Sequence, residues 1–167
     1  MEPDLIEIRR ADYLTIGTIG EPGHRTFFLQ AAQDDLVVSL VIEKQQATAL
    51  AIGISNVLAD AGAVEDVDQH ERMELIHPIR PLFRVGRLSL GQDEGRNMFV
   101  IVARALVAEN EPATTVRIWG TRDQMLALSR EAIIAVASGR PLCPLCHEIM
   151  DPDEEHICVR GNGRKHI

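Results

Sequence analysis

The sequence predicts an α+β fold that carries a small metal-binding tail. Strand-like segments occur in two groups of three, each group is followed by one helical segment, and all three cysteines lie beyond residue 142. With 167 residues, of which 46% are hydrophobic, the chain can bury one self-sufficient core. We therefore expect two βββα halves that form an antiparallel sheet with two helices packed on it, in a core domain of residues 1–138, followed by a tail of residues 139–167.

The first strands and the first helix follow from turn signals and apolar spacing. The strand-like segments are residues 13–19, 25–32 and 36–42. Glycine and proline separate the first two, and a pair of aspartates separates the last two, so short antiparallel connections are expected. From residue 43 to about residue 60 the apolar residues recur at helical spacing, and Gly62 stands just past the end, where a helix C-terminus favours glycine.

An acidic connection and a second group of strands come next. We expect residues 61–80 to be a surface connection and residues 82–90, 98–107 and 115–119 to be strands. The apolar phase of the first of these strands changes across Gly86, which predicts a β-bulge. Thr121 and Gln124 have the spacing of a capping box, so a second helix is expected to begin there and to end at Gly139 and Pro141.

Charge and composition narrow the classes of partner. The net charge of -8 gives no general attraction to nucleic acid or to an anionic membrane. No apolar segment approaches the roughly 18 residues of a transmembrane helix, and the first residues lack the basic and apolar regions of a signal peptide. We therefore expect a cytoplasmic protein, in which clustered cysteines indicate a metal site rather than disulfides.

Cysteine and histidine residues near the carboxyl end form a candidate zinc site. Cys143 and Cys146 have the spacing that lets two thiolates bind one ion, while His156 and Cys158 would face the same side of a strand. His166 is an alternative fourth ligand. Because four protein ligands leave no coordination position for water, the pattern predicts a structural Zn²⁺ ion rather than a catalytic one.

Several segments resemble a known bacterial family. They are residues 20–30 (GEPGHRTFFLQ), 43–46 (EKQQ), 83–86 (FRVG) and 139–141 (GRP), together with the cysteines and histidine of the tail, Asp151-Pro152 and Asn162-Gly163. The chain is similar over nearly its whole length to the family called domain of unknown function 3090. The resemblance implies no activity, and it implies candidate partners that are phosphatase-like and kinase-like, since such proteins are encoded beside the family.

A small polar pocket is a second candidate site. The polar segment 43–46 falls where a strand becomes a helix, a position from which side chains can reach a ligand at the edge of a sheet. No catalytic triad, His-Glu-x-x-His motif or paired-carboxylate motif is present in the sequence, so no catalytic residue is assigned. The residues that we expect to line the pocket are Arg25, Gln30, Glu43, Lys44, Gln45 and Gln46.

These patterns favour a cytoplasmic binding or adaptor protein with a structural zinc site over an enzyme. We expect protein partners, no membrane contact and no binding of nucleic acid. Two alternatives stay open: an enzyme or regulator that acts on a phosphorylated small molecule, and a nucleic-acid-binding regulator that uses the basic residues of segment 160–165.

Overall fold

A seven-stranded sheet and two helices make up most of the structure, a computed structural model that describes residues 4–21, 23–60, 72–137, 156–157 and 165–166. Every strand and helix expected from the sequence is present, and β1 and the short β9 are additions. The strands are β1 (Leu5–Ile8), β2 (Tyr13–Ile19), β3 (Thr26–Gln33), β4 (Leu36–Ile42), β5 (Pro81–Asp93), β6 (Met98–Ala105), β7 (Thr115–Gly120), β8 (His156–Ile157) and β9 (Lys165–His166), and the helices are α1 (Lys44–Asp60) and α2 (Arg122–Ala137).

The large sheet is mixed, with the strand order β1-β7-β6-β5-β4-β3-β2. The pairs β3/β4, β5/β6 and β6/β7 are antiparallel. The pairs β1/β7 and β4/β5 are parallel, so the prediction of an antiparallel sheet is wrong for these two pairs. Short turns enforce antiparallel pairing only between strands that they join directly, whereas β4 reaches β5 through α1 and can return in the same direction. The interpretation of the fold as two repeated βββα halves stays a prediction.

Both helices pack on one face of the sheet. Leu29 and Leu40 lie opposite each other in the β3/β4 pair and are fully buried. They share a single apolar cluster with Ile54 of α1 and with Met125 and Leu128 of α2. The sheet therefore has an inner face that carries the core and an outer face that points away from the helices.

Side-chain caps fix the start of each helix. The Gln46 Oε1 atom accepts a hydrogen bond of 2.8 Å from the backbone N–H of Glu43. The Gln124 Oε1 atom accepts one of 2.8 Å from the Thr121 N–H, and the Thr121 hydroxyl oxygen accepts one of 3.2 Å from the Gln124 N–H. The predicted capping box is therefore confirmed.

The link between β1 and β2 joins strands from opposite parts of the sheet. The Ala11 N–H donates to the Trp119 carbonyl at 2.9 Å, and the Asp12 N–H donates to the Ala32 carbonyl at 2.8 Å. The Gln124 Nε2 atom donates to the Ala11 carbonyl at 2.6 Å. Because Trp119 lies in β7 and Ala32 in β3, the sheet curves until its two edges approach each other at this link.

Residues 72–76, called the strap below, bind the outer face of β2 and β3. The predicted connection 61–80 falls partly outside the described residues, but the strap is not a free surface segment, since Met73, Leu75 and Ile76 are half-buried. The Ile76 N–H donates to the Gln30 Oε1 atom at 2.7 Å, and the Gln30 Nε2 atom donates to the Ile76 carbonyl at 3.0 Å. The Thr15 hydroxyl donates to the Met73 carbonyl at 2.6 Å.

Two further side chains, those of Glu131 and Tyr13, bind the strap. The Glu131 carboxylate, only 2% exposed, accepts hydrogen bonds from the Met73 N–H at 2.9 Å and from the Arg72 Nε atom at 3.2 Å. The Tyr13 hydroxyl donates to the Glu74 carbonyl at 2.6 Å. The strap thus satisfies its backbone polar groups with side chains rather than by strand pairing.

Contacts divide the chain into two compact units. The larger unit comprises Met1–Thr18 and Thr26–Val136, and the smaller unit comprises Ile19–Arg25 and Ala137–Ile167. Within the smaller unit β8 and β9 form an antiparallel ribbon, and the His24 N–H donates to the Glu21 carbonyl at 2.9 Å. The predicted boundary between core and tail at residue 138 stays a prediction.

Candidate functional site

A groove of about 470 Å³ lies between α1 and β5, in the larger unit. Gln46, Ala49, Leu50 and Gly53 line the α1 side, and residues 86–90 line the β5 side. A volume of this size falls within the range of about 300–1,000 Å³ that is usual for ligand pockets. The groove is open to solvent, since Gly86, Arg87 and Ser89 are exposed in β5; its walls therefore form a candidate binding surface.

The β5 strand presents an open backbone edge to this groove. β4 pairs with β5 only as far as Arg84, whereas β6 pairs with its other side as far as Asp93. Alternate residues of a strand direct their N–H and C=O groups to the same side. Beyond Arg84, the α1 side of β5 consequently carries backbone groups that pair with no other strand among the described residues. The first carbonyl there, that of Val85, accepts a hydrogen bond of 3.1 Å from the Gln46 Nε2 atom.

A β-bulge at Gly86 marks the point where the edge becomes free. The β5/β6 register shifts between Val85 and Arg87, which confirms the bulge predicted from the apolar phase. A Cβ atom at Gly86 would lie 3.0 Å from the Leu106 Cα atom, so this position has no room for a larger residue unless the neighbouring backbone shifts. The bulge therefore depends on glycine, and it lies just beyond Arg84, where the pairing of β5 with β4 ends.

Gly53, on the α1 wall of the groove, has space beside it that a side chain could occupy. A Cβ atom there would meet only the Leu90 Cδ2 atom, at an ordinary contact distance of 3.8 Å. Glycine in a helix interior costs about 1 kcal/mol relative to alanine. Because the packing does not require glycine at this position, its effect is to keep the groove wide. Such a local cost without a structural benefit is typical of functional positions.

The outer face of the sheet beside the groove carries three exposed arginines on neighbouring strands. Arg87 and Arg104 are directly opposite each other in β5/β6. Arg117 of β7 lies diagonal to Arg104, because Arg104 pairs with Thr115 and Arg117 pairs with Val102. All three side chains are exposed. None of the three forms a hydrogen bond or an ion pair with another residue in the described ranges. We call Arg87, Arg104 and Arg117 the arginine face.

Charge makes the arginine face unusual in this chain. Opposite positions on neighbouring strands have Cβ atoms about 4.5–5.5 Å apart, and diagonal positions about 7–8 Å. Like charges directly opposite each other therefore destabilise the sheet, yet Arg87 and Arg104 face one another in a protein with a net charge of -8. An anionic group placed between them would relieve the repulsion and would accept the fork of hydrogen bonds that guanidinium groups offer.

Trp119 occupies the far end of the same face. The Arg96 guanidinium carbon lies 5.0 Å from the centre of its ring, close enough for a cation–π interaction. The Trp119 Nε1 atom donates to the Glu7 Oε1 atom at 3.1 Å. The indole is thus already engaged on its face and at its N–H group, and it is not a free stacking platform.

The structure separates the residues predicted to line the polar pocket. Gln46 lines the groove, whereas Lys44 is half-buried, Gln45 is exposed, and neither is among the groove-lining residues. Glu43 forms an ion pair with Arg84 at the entrance to α1. Gln30 lies elsewhere, fully buried, with its amide bound to the strap and, at 3.1 Å, to the Ser39 hydroxyl. Arg25 belongs to the smaller unit.

The predicted metal ligands lie mostly outside the described residues. That is the case for Cys143, Cys146 and Cys158. The backbone of His156 and His166 is described, and the two residues are direct partners in the β8/β9 ribbon. Among the described residues no group of three or more His, Cys, Asp and Glu residues could hold a metal ion. The zinc site stays a prediction. The register of the β8/β9 pair makes the backbones of its two alternative histidines neighbours.

Sequence reasoning missed the groove, Gly53 and the arginine face. The arginines stand on three different strands and become neighbours only through pairing, for which one sequence carries no signal. Two local signals were present: a glycine in the middle of a helical pattern, and a phase change at Gly86 in a strand longer than the one before it. Together they indicate that β5 extends beyond the end of its neighbour β4.

Comparison with known proteins gives one match. The family model DUF3090, described as a protein of unknown function, matches residues 7–158. No curated protein and no solved structure matches the chain. Within the described residues, no helix is both long enough and apolar enough to span a membrane.

Proposed function

Because this chain belongs to DUF3090, a family of unknown function, we propose its function from the groove: it is a binding or adaptor protein that takes an extended segment of a partner protein between α1 and β5. The observation that carries the proposal is the open edge of β5 beyond Arg84, beside a groove of about 470 Å³. An added strand would pair with this edge in the way that several peptide-recognition domains bind their ligands.

Three features of the groove support strand addition. The edge lies next to the last residues of β4, so an added strand would continue the sheet where β4 stops. The floor is apolar, since Leu50 is buried and the half-buried Leu88 and Leu90 point to the inner face. Solvent reaches Gly86 and Ser89 directly. Backbone hydrogen bonds would then supply affinity, and the floor would select the side chains of the partner.

A peptide library bound to purified full-length protein tests the proposal. Gly53→Gln places a helix-forming side chain in the groove, and Ile52→Gln places the same side chain at a neighbouring position that is 58% exposed and outside the groove. We expect peptides whose affinity falls about tenfold or more in Gly53→Gln but is unchanged in Ile52→Gln. Binding should slow amide hydrogen exchange in residues 86–92. The proposal fails if no peptide depends on Gly53.

The proposed zinc site serves structure rather than turnover. It would join Cys143, Cys146 and Cys158 with His156 or His166, and the donor set of three thiolates and one imidazole suits a closed tetrahedral Zn²⁺ site. The pairing of His156 with His166 supports either histidine as the fourth ligand, because both are at the same position along the ribbon. We further propose that the protein acts in the cytoplasm, and that phosphatase-like and kinase-like proteins are candidate partners.

A phosphorylated small molecule is a second candidate ligand, favoured by the arginine face. Three guanidinium groups on neighbouring strands, with no partner in the described part of the chain, could hold a phosphate. The described part of the chain supplies no nucleophile with an adjacent base at this face, so the proposal is limited to binding. Saturable binding of a sugar phosphate that disappears in Arg104→Glu and persists in Gly53→Gln would favour this candidate over strand addition.

A further inference from the structure

The arginine face and the groove meet at Arg87, which lines the groove and belongs to the face. We propose that the extended segment taken by the groove, whose existence rests on the function proposed above, alternates acidic and apolar residues. Its acidic side chains would lie on the outer face beside Arg87, and its apolar side chains would lie on the groove floor. The partner is thus a protein with an exposed acidic and apolar alternating strand.

The alternation follows from the geometry of β5. Successive side chains of a strand point to opposite faces. Beyond the bulge, Arg87 and Ser89 point outward with Arg104, while Leu88 and Leu90 point inward, opposite Ala103 and Ile101. An added strand must follow the same alternation, since its residues lie beside those of β5. Every second side chain therefore meets arginine and serine, and the others meet leucine.

The inner positions favour apolar side chains. Leu88 and Leu90 are half-buried and cover part of the apolar cluster beneath them. On the helix side Gly53 adds no side chain to the groove, and a Cβ atom there would lie 3.8 Å from the Leu90 Cδ2 atom. Covering this floor would remove apolar surface from water, at about 25 cal/mol for each Å² buried.

The outer positions favour carboxylates. Arg87 and Arg104 repel each other and have no partner among the described residues, and Arg117 adds a third positive charge on the next strand. Arg84, by contrast, is already paired with Glu43 and contributes less. A carboxylate beside Arg87 would remove a like-charge repulsion as well as form a new ion pair, which gives selectivity over neutral and basic segments.

Nucleic acid fits this surface less well. The net charge of -8 opposes the approach of a long polyanion. Single-strand binders stack bases on several exposed aromatic rings, whereas the Arg96 guanidinium covers the ring of Trp119 at the far end of this face. The open edge of β5 would also have no role in such a complex.

Synthetic peptides of about eight residues, a usual strand length, test the inference. One peptide alternates Glu and Val, a second has the same composition in two blocks, and a third alternates Lys and Val. We expect the alternating acidic peptide to bind most tightly, and its affinity to fall at least about fivefold in Arg87→Glu. Arg10→Glu is the matched control, because Arg10 is exposed and lies between β1 and β2, away from the groove. It should leave the affinity unchanged.

Each outcome separates the inference from the proposed function. If the three peptides bind equally and all depend on Gly53, the groove binds strands but the alternation is wrong. If none depends on Gly53, the groove itself is wrong, and the inference falls with it. A single-stranded oligonucleotide that binds through Arg87 and Arg104 but not through Gly53 would also overturn the inference. Preferential, Gly53-dependent binding of the alternating acidic peptide, weakened by added salt, supports it.

Discussion

Buried polar side chains, rather than backbone pairing, hold the strap on the sheet. Gln30 has no exposed surface, yet each half of its amide binds the backbone of Ile76. Glu131 is almost equally buried and binds Met73 and Arg72. Buried amides and carboxylates are stable only when they are fully hydrogen-bonded. Such residues therefore fix the strap in one register along the outer face of β2 and β3.

Replacement of Gln30 by alanine should be one of the more destabilising single changes in the chain. It leaves both the N–H and the carbonyl of Ile76, a half-buried residue, without their partner. We expect the free energy of unfolding to fall by about 2–4 kcal/mol, measured by urea denaturation. The control is Gln45→Ala at an exposed position of α1, where the expected change is within about 0.5 kcal/mol. Equal effects of the two substitutions would contradict the account of the strap.

Tyr13 should make the stability of the protein sensitive to alkaline pH. Burial raises the pKa of Tyr13 above its ordinary value of 10.0, and the carboxylates of Glu131 and Glu74 raise it further. The folded state thus prefers the neutral phenol, which donates its hydrogen bond to the Glu74 carbonyl. This contribution is complete below pH 10.0 and is lost as the pH rises through the raised pKa.

The Tyr13→Phe variant isolates that contribution. It should show a shallower loss of unfolding free energy than the unchanged protein when the pH rises above 10.0, because its side chain does not ionise. Below that pH it should be less stable by about 1 kcal/mol, the usual net value of one hydrogen bond. Absorbance titration of the phenol gives an independent check, since Tyr13 is the only tyrosine in the chain. Parallel pH profiles for the two proteins would refute the assignment.

Two glycines on opposite walls of the groove have opposite roles. Gly86 permits the bulge in the β5/β6 pair, and a Cβ atom there would press on the Leu106 backbone. Gly53 lies within the continuous helix α1, where a Cβ atom would make only an ordinary contact. Packing therefore requires glycine at position 86 but not at position 53.

Alanine at these two positions should therefore change stability in opposite directions. Gly86→Ala should lower the free energy of unfolding by about 1–3 kcal/mol, because the neighbouring backbone must move. Gly53→Ala should raise it by about 0.5–1 kcal/mol through helix propensity. Urea denaturation of the two variants side by side provides the measurement. A loss of stability in Gly53→Ala would show that the helix needs glycine there and would remove the argument for an open groove.

The sequence predicted the elements of this fold better than their arrangement. The capping box of Thr121 and the bulge at Gly86 depend on a few adjacent residues, so one sequence contains the whole signal. β1 was missed because four residues give too short an alternation, and its pairing partner β7 begins at Thr115, far along the chain. The parallel β4/β5 pair and the neighbouring arginines arise only from such long-range pairing.

Charge is distributed unevenly over the whole molecule. The chain has 25 acidic and 17 basic residues, yet Arg87, Arg104 and Arg117 stand together without an acidic partner among the described residues. A net negative protein with a local positive face repels most polyanions and can still orient a short acidic segment. Selectivity for a strand rather than for a long nucleic acid would then depend on the charge distribution of the whole molecule and not on any single arginine.

Removal of the metal should unfold the tail and leave the sheet and the two helices folded. Among the described residues, the sheet and the two helices share one apolar cluster that runs from Ile8 to Ala135. The tail is too short to bury a core of its own, and in isolated zinc modules the ion supplies on the order of 10 kcal/mol of folding free energy.

We expect elemental analysis to find about one Zn²⁺ per chain, and we expect the metal to be lost on chelation or in Cys143→Ser. Loss of the metal should quicken amide hydrogen exchange only beyond residue 138 and should leave the thermal transition of the sheet unchanged. Ser129→Ala, in α2 and far from the cysteines in sequence, is the control that should keep its metal. Cooperative unfolding of the sheet when the metal is removed would mean that tail and body are one folding unit.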